Sequence, residues 1–571
     1  MRYLALACDY DGTLAHHGQV DADTIAALER LRASGRRLLL VTGRELDDLL
    51  RVCPPVDLFD RVVAENGAVV YEPATRELHT LGDGPPPEFV RELERRGVEP
   101  LSVGRVIVAT WEPQDVHVHE AIRDLGLELQ VIFNKGAVMV LPSGVNKATG
   151  LQRALADLHL SPHNVVGIGD AENDHAFLSA CECAVAVANA LDSVKARVDL
   201  VTAADHGAGV TELIDGMNAS DLAELAPRLS RHHIVLGHAV TGADLRLAPY
   251  DGVLLIAGPS GAGKTTVTTA ILEQLSECEY QFFVLDPEGD YYEFPDAVAL
   301  RGADQRALAD EASKAVERPS ENVVVSLMDL PLDERPAFLQ ALLPDLLELR
   351  SSAARPHWIV IDEAHHLLPS TWQASKTALP GRLHSTVLVT VHPDHVSADV
   401  LALVDMLVVV GREAQETVDA FCRGRGHPPI ALPAVAEDQD GPKLLWFVRL
   451  GETPVQFKSL EPVSDRRRHR RKYAEGELPE DRSFYFRGPD GRLNLRAQNL
   501  ELFIQMADGV DDETWEHHLR RHDVSQWFGG VIKDDLLARE AADVEAQPHL
   551  SPRDSRARIR EAIERRYTSP A

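Results

Sequence analysis

Two carboxylates one residue apart, Asp9 and Asp11 in Asp9-Tyr10-Asp11-Gly12-Thr13, follow an apolar run at 4–8. A carboxylate at a strand end, ahead of a Gly-Thr turn, is well placed to attack phosphorus. A second, two residues on, can protonate the leaving oxygen and then take a proton from water. Far downstream, Gly169-Asp170-Ala171-Glu172-Asn173-Asp174 follows another apolar run. An anionic substrate beside carboxylates needs a hard cation, and Asp9 with Asp170 can supply the oxygen ligands of magnesium. Thr42 and Gly43 end a third run and offer a hydroxyl and amides to a phosphate oxygen, while Lys147 would neutralise developing charge. Asp-x-Asp-Gly also opens calcium loops, but those need further oxygen ligands and a late Glu at fixed spacing, which His16 and His17 do not provide.

A second chemistry lies further along. Gly258-Pro259-Ser260-Gly261-Ala262-Gly263-Lys264-Thr265-Thr266 follows an apolar strand and precedes a helical pattern. Glycines let backbone N–H groups wrap phosphates, Lys264 reaches the β and γ oxygens, and Thr265 holds magnesium. Asp362 ends the apolar run at 358–361 and can join that magnesium shell, leaving Glu363 to polarise an attacking water. The expected ligands are therefore magnesium and ATP, with Gly258, Ser260, Gly261, Ala262, Gly263, Lys264, Thr265 and Thr266 as the ATP cradle.

The elements that must position these residues are legible as alternating short apolar strands and amphipathic helices. Runs at 4–8, 38–42, 62–64, 165–168 and 184–187 predict a parallel sheet covered by helices over 1–217. Gly and Pro at 82–87 open a segment to about 142 with strands of its own, which reads as an inserted α+β cap. A polar helical linker is expected at 218–232. Apolar runs at 253–257, 282–285, 322–326, 358–361, 387–390 and 406–410 then predict a second α/β domain over 233–462. A basic linker, containing the run from Arg466 to Lys472, covers 463–479, and 480–571 reads as mainly helical with no assignable chemistry. His518 and His522 lie one helical turn apart but lack the Glu of a zinc-protease motif, and Trp515 and Trp527 read as core anchors.

A net charge of −31 argues against a generally basic nucleic-acid coat, although a local basic channel would still bind. Six scattered cysteines in 571 residues do not make a disulfide framework. The chain opens on a strand rather than a signal pattern, and its best apolar stretch, 400–410, is interrupted by Asp405, so the expectation is a cytoplasmic protein without membrane spans.

With the four phosphoryl motifs in this order, residues 1–217 resemble the haloacid dehalogenase superfamily, in the branch whose cap lies between the second and third motifs. Glu65-Asn66-Gly67 is a further turn of that branch. The resemblance implies a Rossmann-like core with Asp9 as nucleophile and Asp11 as acid/base. Thr42, Gly43, Lys147 and Asn173 would bind phosphate. Asp9, Asp11 (through its carbonyl), Asp170 and Asp174 would hold or support the metal, with Asn173 and Asp174 supporting the lysine as well. The short cap implies a small phosphorylated metabolite, as in phosphoglycolate and sugar-phosphate phosphatases. Residues 232–460 resemble the HerA/FtsK-like ATPases through the segments from Phe283 to Tyr291 and from Ile361 to Pro369, implying a RecA-like fold. Those motors usually end the next strand in Thr-Gln, whereas this chain reads Thr390-Val391-His392. They also need an arginine from a neighbouring subunit, for which Arg382 and Arg412 are candidates, so a homo-oligomer is one expected state. The leading reading is a magnesium-dependent phosphomonoesterase regulated or assembled by an ATPase. The alternative is a DNA motor with an accessory phosphatase acting on nucleotides or nucleic-acid ends. A phosphatase–kinase pair is disfavoured by the adjoining Asp-Glu, and a non-catalytic scaffold by the intact Asp9/Asp11 pair.

Overall fold

A sheet whose central strands are buried on both faces needs helices above and below, and that requirement builds the first domain. In the computed structural model β1 (Ala5–Cys8), β2 (Arg37–Val41) and β3 (Arg61–Ala64) pair in parallel, and β4 (Val69–Glu72) and β5 (Glu77–Thr80) continue the sheet antiparallel. The structure describes residues 1–571 except 230–231, 249–251, 373–382, 434–440, 463–472, 474–477, 479–481, 490, 533, 548 and 568–571. Arg382 and the basic run at 466–472 lie outside the described residues.

The cap follows as the sheet β6 (Ser102–Val103), β7 (Val108–Trp111), β8 (Leu129–Asn134) and β9 (Ala137–Pro142), ordered β6-β7-β9-β8, with helices Pro87–Arg95 and Asp115–Leu125. The chain then returns as β10 (Val165–Gly169), β11 (Cys183–Ala186) and β12 (Leu200–Val201), completing the order β12-β11-β10-β1-β2-β3-β4-β5. This puts β1 beside β10, so Asp9 and Asp170 emerge from adjacent strand ends. The stretch read as a polar linker is partly core: helix His206–Ser220 buries Met217, and Leu222 and Leu229 pack with the first domain.

The second sheet comprises β13 (Ile234–Ala239), β14 (Asp244–Leu247), β15 (Val253–Ala257), β16 (Phe282–Asp286), β17 (Ala297–Arg301), β18 (Asn322–Ser326), β19 (Trp358–Ile361), β20 (Thr386–Thr390), β21 (Val404–Val410), β22 (Lys443–Phe447) and β23 (Val455–Ser459). Its order is β14-β13-β23-β22-β21-β15-β20-β19-β16-β18-β17. Only β20 separates β15, which feeds the glycine loop, from β19, which feeds Asp362, so Thr390 ends between the two motifs. The C-terminal region is not wholly helical. It opens with a hairpin of β24 (Phe484–Phe486) and β25 (Leu495–Ala497), whose aromatics pack with Phe503, Trp515 and Trp527 in a separate core. Arg487 N–H donates to His518 and Asp523 pairs with the other ring nitrogen, a structural role for that histidine. Among the described residues no helix is long and apolar enough to cross a membrane.

The two large sheets meet at their strand starts. Glu182, just before β11, is fully buried and pairs with Arg2 at 2.6 Å and His163 at 2.8 Å, and accepts the Tyr280 hydroxyl at 2.9 Å. The other ring nitrogen of His163 reaches the Cys278 carbonyl at 2.6 Å, and its ring stacks on Tyr280 with centroids 3.7 Å apart. Arg355, also buried, bridges Gln281 and the carbonyls of His159 and Glu317. Burial would push the Glu182 pKa up, but the hydrogen bond and charge of His163, with Arg2 and His232, outweigh it and hold it down at about 2. From an ordinary value of 4.5, that is about 3 kcal/mol of stabilisation. A depressed pKa stabilises above the unfolded value and loses that contribution as pH falls through the folded one. Glu182→Gln should therefore lower the unfolding midpoint at pH 7, and its deficit relative to wild type should shrink as pH falls from about 4.5 toward 2. A deficit independent of pH would contradict the ionised junction.

Candidate functional sites

The phosphoryl site is a buried knot of charge. Lys147, the first residue of helix Lys147–Asp157, places its ammonium 2.5 Å from Asp9 Oδ1 and 2.6 Å from Asp174 Oδ1. Asp174 is committed elsewhere too, because its Oδ2 accepts the backbone N–H groups of Asp170 and Ala171. Grouped on sequence with the metal ligands, Asp174 is placed to position Lys147 and the turn that carries Asp170. Its oxygen nevertheless lies within 4.8 Å of those of Asp9 and Asp170. Burial works against the charge on Lys147, but the two carboxylates outweigh it and raise its pKa. Asp9 is raised well above an ordinary carboxylate, first by burial and then by Asp174, with Lys147 opposing. Asp170 is raised by burial as well.

Three clustered carboxylates form a hard-oxygen donor set suited to a divalent cation. Gly12 adds a geometric argument. Its φ is +89°, and a Cβ there would lie 2.3 Å from Asp170 Oδ2, so only glycine keeps the space above that carboxylate open. Thr13 donates to Asp170 Oδ1 at 3.1 Å. The residues present fit a divalent cation such as magnesium, which Asp9 and Asp170 would hold through their side chains.

The other expected residues gather around this knot in different ways. The Thr42 hydroxyl accepts the Arg44 amide at 3.2 Å and keeps its own proton to donate. Asn173 donates to Asn66 at 2.9 Å, and a Cβ on Gly43 would lie 3.4 Å from the same amide nitrogen, so Gly43, Asn66 and Asn173 share one wall. Asp11 stands apart: its carboxylate is held by Arg44 through a two-point contact of 2.6 and 2.7 Å. The Arg44 clamp was missed on sequence, although Arg44 directly follows Thr42-Gly43. Glu65 was seen only as part of a turn. It is buried at φ +50°, and its carboxylate accepts the N–H groups of Arg105, Val106 and Ile107, which lead into β7 of the cap.

In the second site, helix Lys264–Glu277 starts directly after Gly263, and the Lys264 ammonium donates to the Gly258 and Pro259 carbonyls at 3.0 Å each. Asp286, at the end of β16, accepts the amides of Asp290 and Tyr291, which folds that loop back until the Thr265 hydroxyl is 3.4 Å from Asp290. Asp286 and Asp290 belong to a quoted segment but were not singled out; a carboxylate ending the strand was the available signal. Burial pushes the Asp362 pKa well up, and Asp290, Glu363 and Asp286 add to it, a charge environment fitted to a magnesium–nucleotide complex. Glu363 sits at φ +43°, a left-handed conformation that non-glycine residues keep where the surroundings impose it. His365 lies 3.3 Å from Glu363 and 3.0 Å from the Thr390 hydroxyl, which also accepts the His392 amide. Burial, then the neighbouring His366, His392, His395 and Lys264, hold the His365 pKa at about 4, so it is neutral near pH 7. His392 packs edge-on to His365, which links it to Glu363. Arg412 follows β21 and is exposed.

Comparison with known proteins agrees with this geometry. The family profile for haloacid dehalogenase-like hydrolases matches residues 6–82 and 116–214, the gap falling in the cap. A phosphoglycolate phosphatase of Methanothermobacter thermautotrophicus is 31% identical over 220 residues, covering 37% of this chain and 96% of that protein. The chain belongs to the haloacid dehalogenase-like hydrolase family. A phosphoglycolate phosphatase of Haloarcula marismortui is 32% identical over 218 residues, covering 37% of this chain and 95% of the relative. A solved haloacid dehalogenase-like hydrolase from Bacteroides thetaiotaomicron is 20% identical, covers 38% of this chain and 99% of its own, and superposes with a TM-score of 0.34. The profile of the AAA ATPase domain matches residues 243–390. The protein thus joins a phosphatase of the haloacid dehalogenase-like type to an AAA-type ATPase.

Glu65→Ala should loosen the seam between cap and core at residues 105–107. Hydrogen exchange at the amides of residues 105–107 should quicken by about tenfold or more, since two buried donors and one partly buried donor lose their acceptor. Unchanged exchange there would show that the cap is held by other contacts.

Proposed function

We propose that the first domain hydrolyses a small phosphomonoester through an aspartyl-phosphate, and that the ATPase domain regulates or assembles it. The observation that carries the reading is the Lys147 ammonium bridging Asp9 and Asp174 beside Asp170, at the ends of adjacent parallel strands. In this reading Asp9 attacks phosphorus, the phosphorus–oxygen ester bond breaks, and the leaving oxygen takes a proton from Asp11. Water then attacks the aspartyl-phosphate, gives its proton to Asp11, and frees phosphate and Asp9, so one water is consumed overall. Asp11 must leave the Arg44 clamp to reach the leaving oxygen, so Arg44 sets its resting position. Lys147, with the Thr42 hydroxyl and the Gly43 wall, holds the phosphoryl oxygens. Magnesium held by Asp9, Asp170 and the Asp11 carbonyl would supply Lewis-acid charge and relieve the repulsion that raises both carboxylates. The names of the archaeal relatives and the small cap support phosphoglycolate, or a substrate of its kind.

In the ATPase domain, Lys264 and the loop amides would hold the phosphates of ATP, Thr265 and Asp362 its magnesium, and Glu363 the attacking water. The likeness to HerA/FtsK-like motors supports assembly into a ring, with Arg412 as a candidate donor to a neighbouring copy. Regulation draws its support from the junction. Strands β10 and β11 run from it toward Asp170, and β16 and β19 run from its other side toward Asp286 and Asp362. Each site is then one five-residue strand, roughly 17 Å, from the shared junction. Coupling would pass along the sheets, since the sites open at the far ends.

Asp9→Asn should abolish phosphate release from phosphoglycolate, a loss of about 10³-fold or more, while ATP binding persists. Lys264→Ala should remove ATP hydrolysis and leave the Asp9-dependent reaction measurable. Phosphate release that survives Asp9→Asn would sink the phosphatase mechanism, and ATP turnover that survives Lys264→Ala would sink the assignment of the second site.

A further inference from the structure

One turn of the cap reaches the carboxylates of the phosphoryl site. β8 and β9 are joined by Lys135-Gly136, both at positive φ (+49° and +87°), the two-residue turn whose twist suits a hairpin. Asn or Gly fits the first position without penalty, whereas Lys there costs backbone strain that a side-chain role can offset. Its side chain spans the seam: Nζ is 2.5 Å from Asp170 Oδ2, and its backbone N–H points to Glu172 at 3.4 Å. The ammonium also stands where Gly12 leaves room, 3.0 Å from the position a Cβ on Gly12 would take. Lys135 therefore occupies the cradle that fits a divalent cation. Its side chain is 46% exposed, against 1% for Lys147, so it can swing away while Lys147 cannot.

We propose that Lys135 is a placeholder cation that the metal displaces, and that the displaced ammonium then recognises a carboxylate on the leaving-group side of the substrate. Two like charges do not share Asp170 Oδ2 at contact distance, so metal binding pushes the ammonium off the carboxylate. Tethered to the cap tip, it stays at the seam between cap and core, where the part of the substrate beyond the phosphoryl group must lie. A cation there favours phosphorylated hydroxy acids over esters with uncharged leaving groups. In the absence of metal the same contact latches the cap shut.

The second half of this assignment rests on the phosphatase reading, and the test separates the two. Magnesium binding to the full-length protein is measured by titration calorimetry without substrate. In parallel, kcat/KM is measured for phosphoglycolate and for p-nitrophenyl phosphate, in wild type, Lys135→Met and Lys135→Arg. Lys135→Met should bind magnesium about threefold or more tightly, because its competitor is gone. The ratio of kcat/KM for phosphoglycolate to that for p-nitrophenyl phosphate should fall about tenfold or more, chiefly through KM, with Lys135→Arg restoring much of it. Unchanged magnesium affinity in a folded Lys135→Met protein overturns the placeholder role, and an unchanged substrate ratio overturns recognition. Wild-type protein that hydrolyses neither ester defeats the phosphatase reading instead, and the calorimetry still decides the placeholder role.

Discussion

A carboxylate without access to water must keep its charge neutralised, and Glu182 does so by drawing Arg2, His163 and Tyr280 onto one point. Arg2 and His163 come from the phosphatase and Tyr280 from the ATPase, so satisfying one buried anion joins two sheets. Because these residues stand where strands begin, both sheets are rooted start to start. Catalytic carboxylates in parallel sheets stand where strands end, so the two sites face away from the root. The proposed route between them is therefore conformational coupling through short, fully buried strands.

The same tension between burial and charge shapes each site. Asp9, Asp170 and Asp174 share one main internal cation, Lys147, and a borrowed one, Lys135. Asp362, Glu363, Asp286 and Asp290 crowd the mouth of the glycine loop in a similar way. Such clusters are costly in isolation and are relieved by a divalent cation, which makes ligand binding stabilising as well as chemically enabling. Gly12 holds the first of these spaces open.

Much of this was legible in the sequence where chemistry forces a local pattern. Asp9, Thr42, Asp170 and Asp362 each stand at the end of an apolar run, and the strands lie where those runs predicted. Gly258 to Thr265 could be read because the cradle is built from consecutive amides. Lys135, Glu65 and Glu182 could not, since their roles depend on partners 35, 40 to 42 and up to 180 residues away. No local spacing records such a contact. Asp174 was expected to support both the metal and the lysine, and its two oxygens hold Lys147 and the amides of the turn that carries Asp170. The hairpin at 484–497 escaped notice because its two strands have only three residues each, too short for a period-2 signal.

The coupling proposed between the nucleotide site and the phosphoryl site runs through one shared junction. The most direct measurement is kcat/KM for phosphoglycolate with and without a saturating, non-hydrolysable magnesium–ATP analogue, in wild type and in a folded Tyr280→Phe protein. Coupling through the junction predicts a nucleotide-dependent change of about threefold or more in wild type, markedly reduced when the Tyr280 hydroxyl no longer reaches Glu182. Identical wild-type values with and without nucleotide would contradict it.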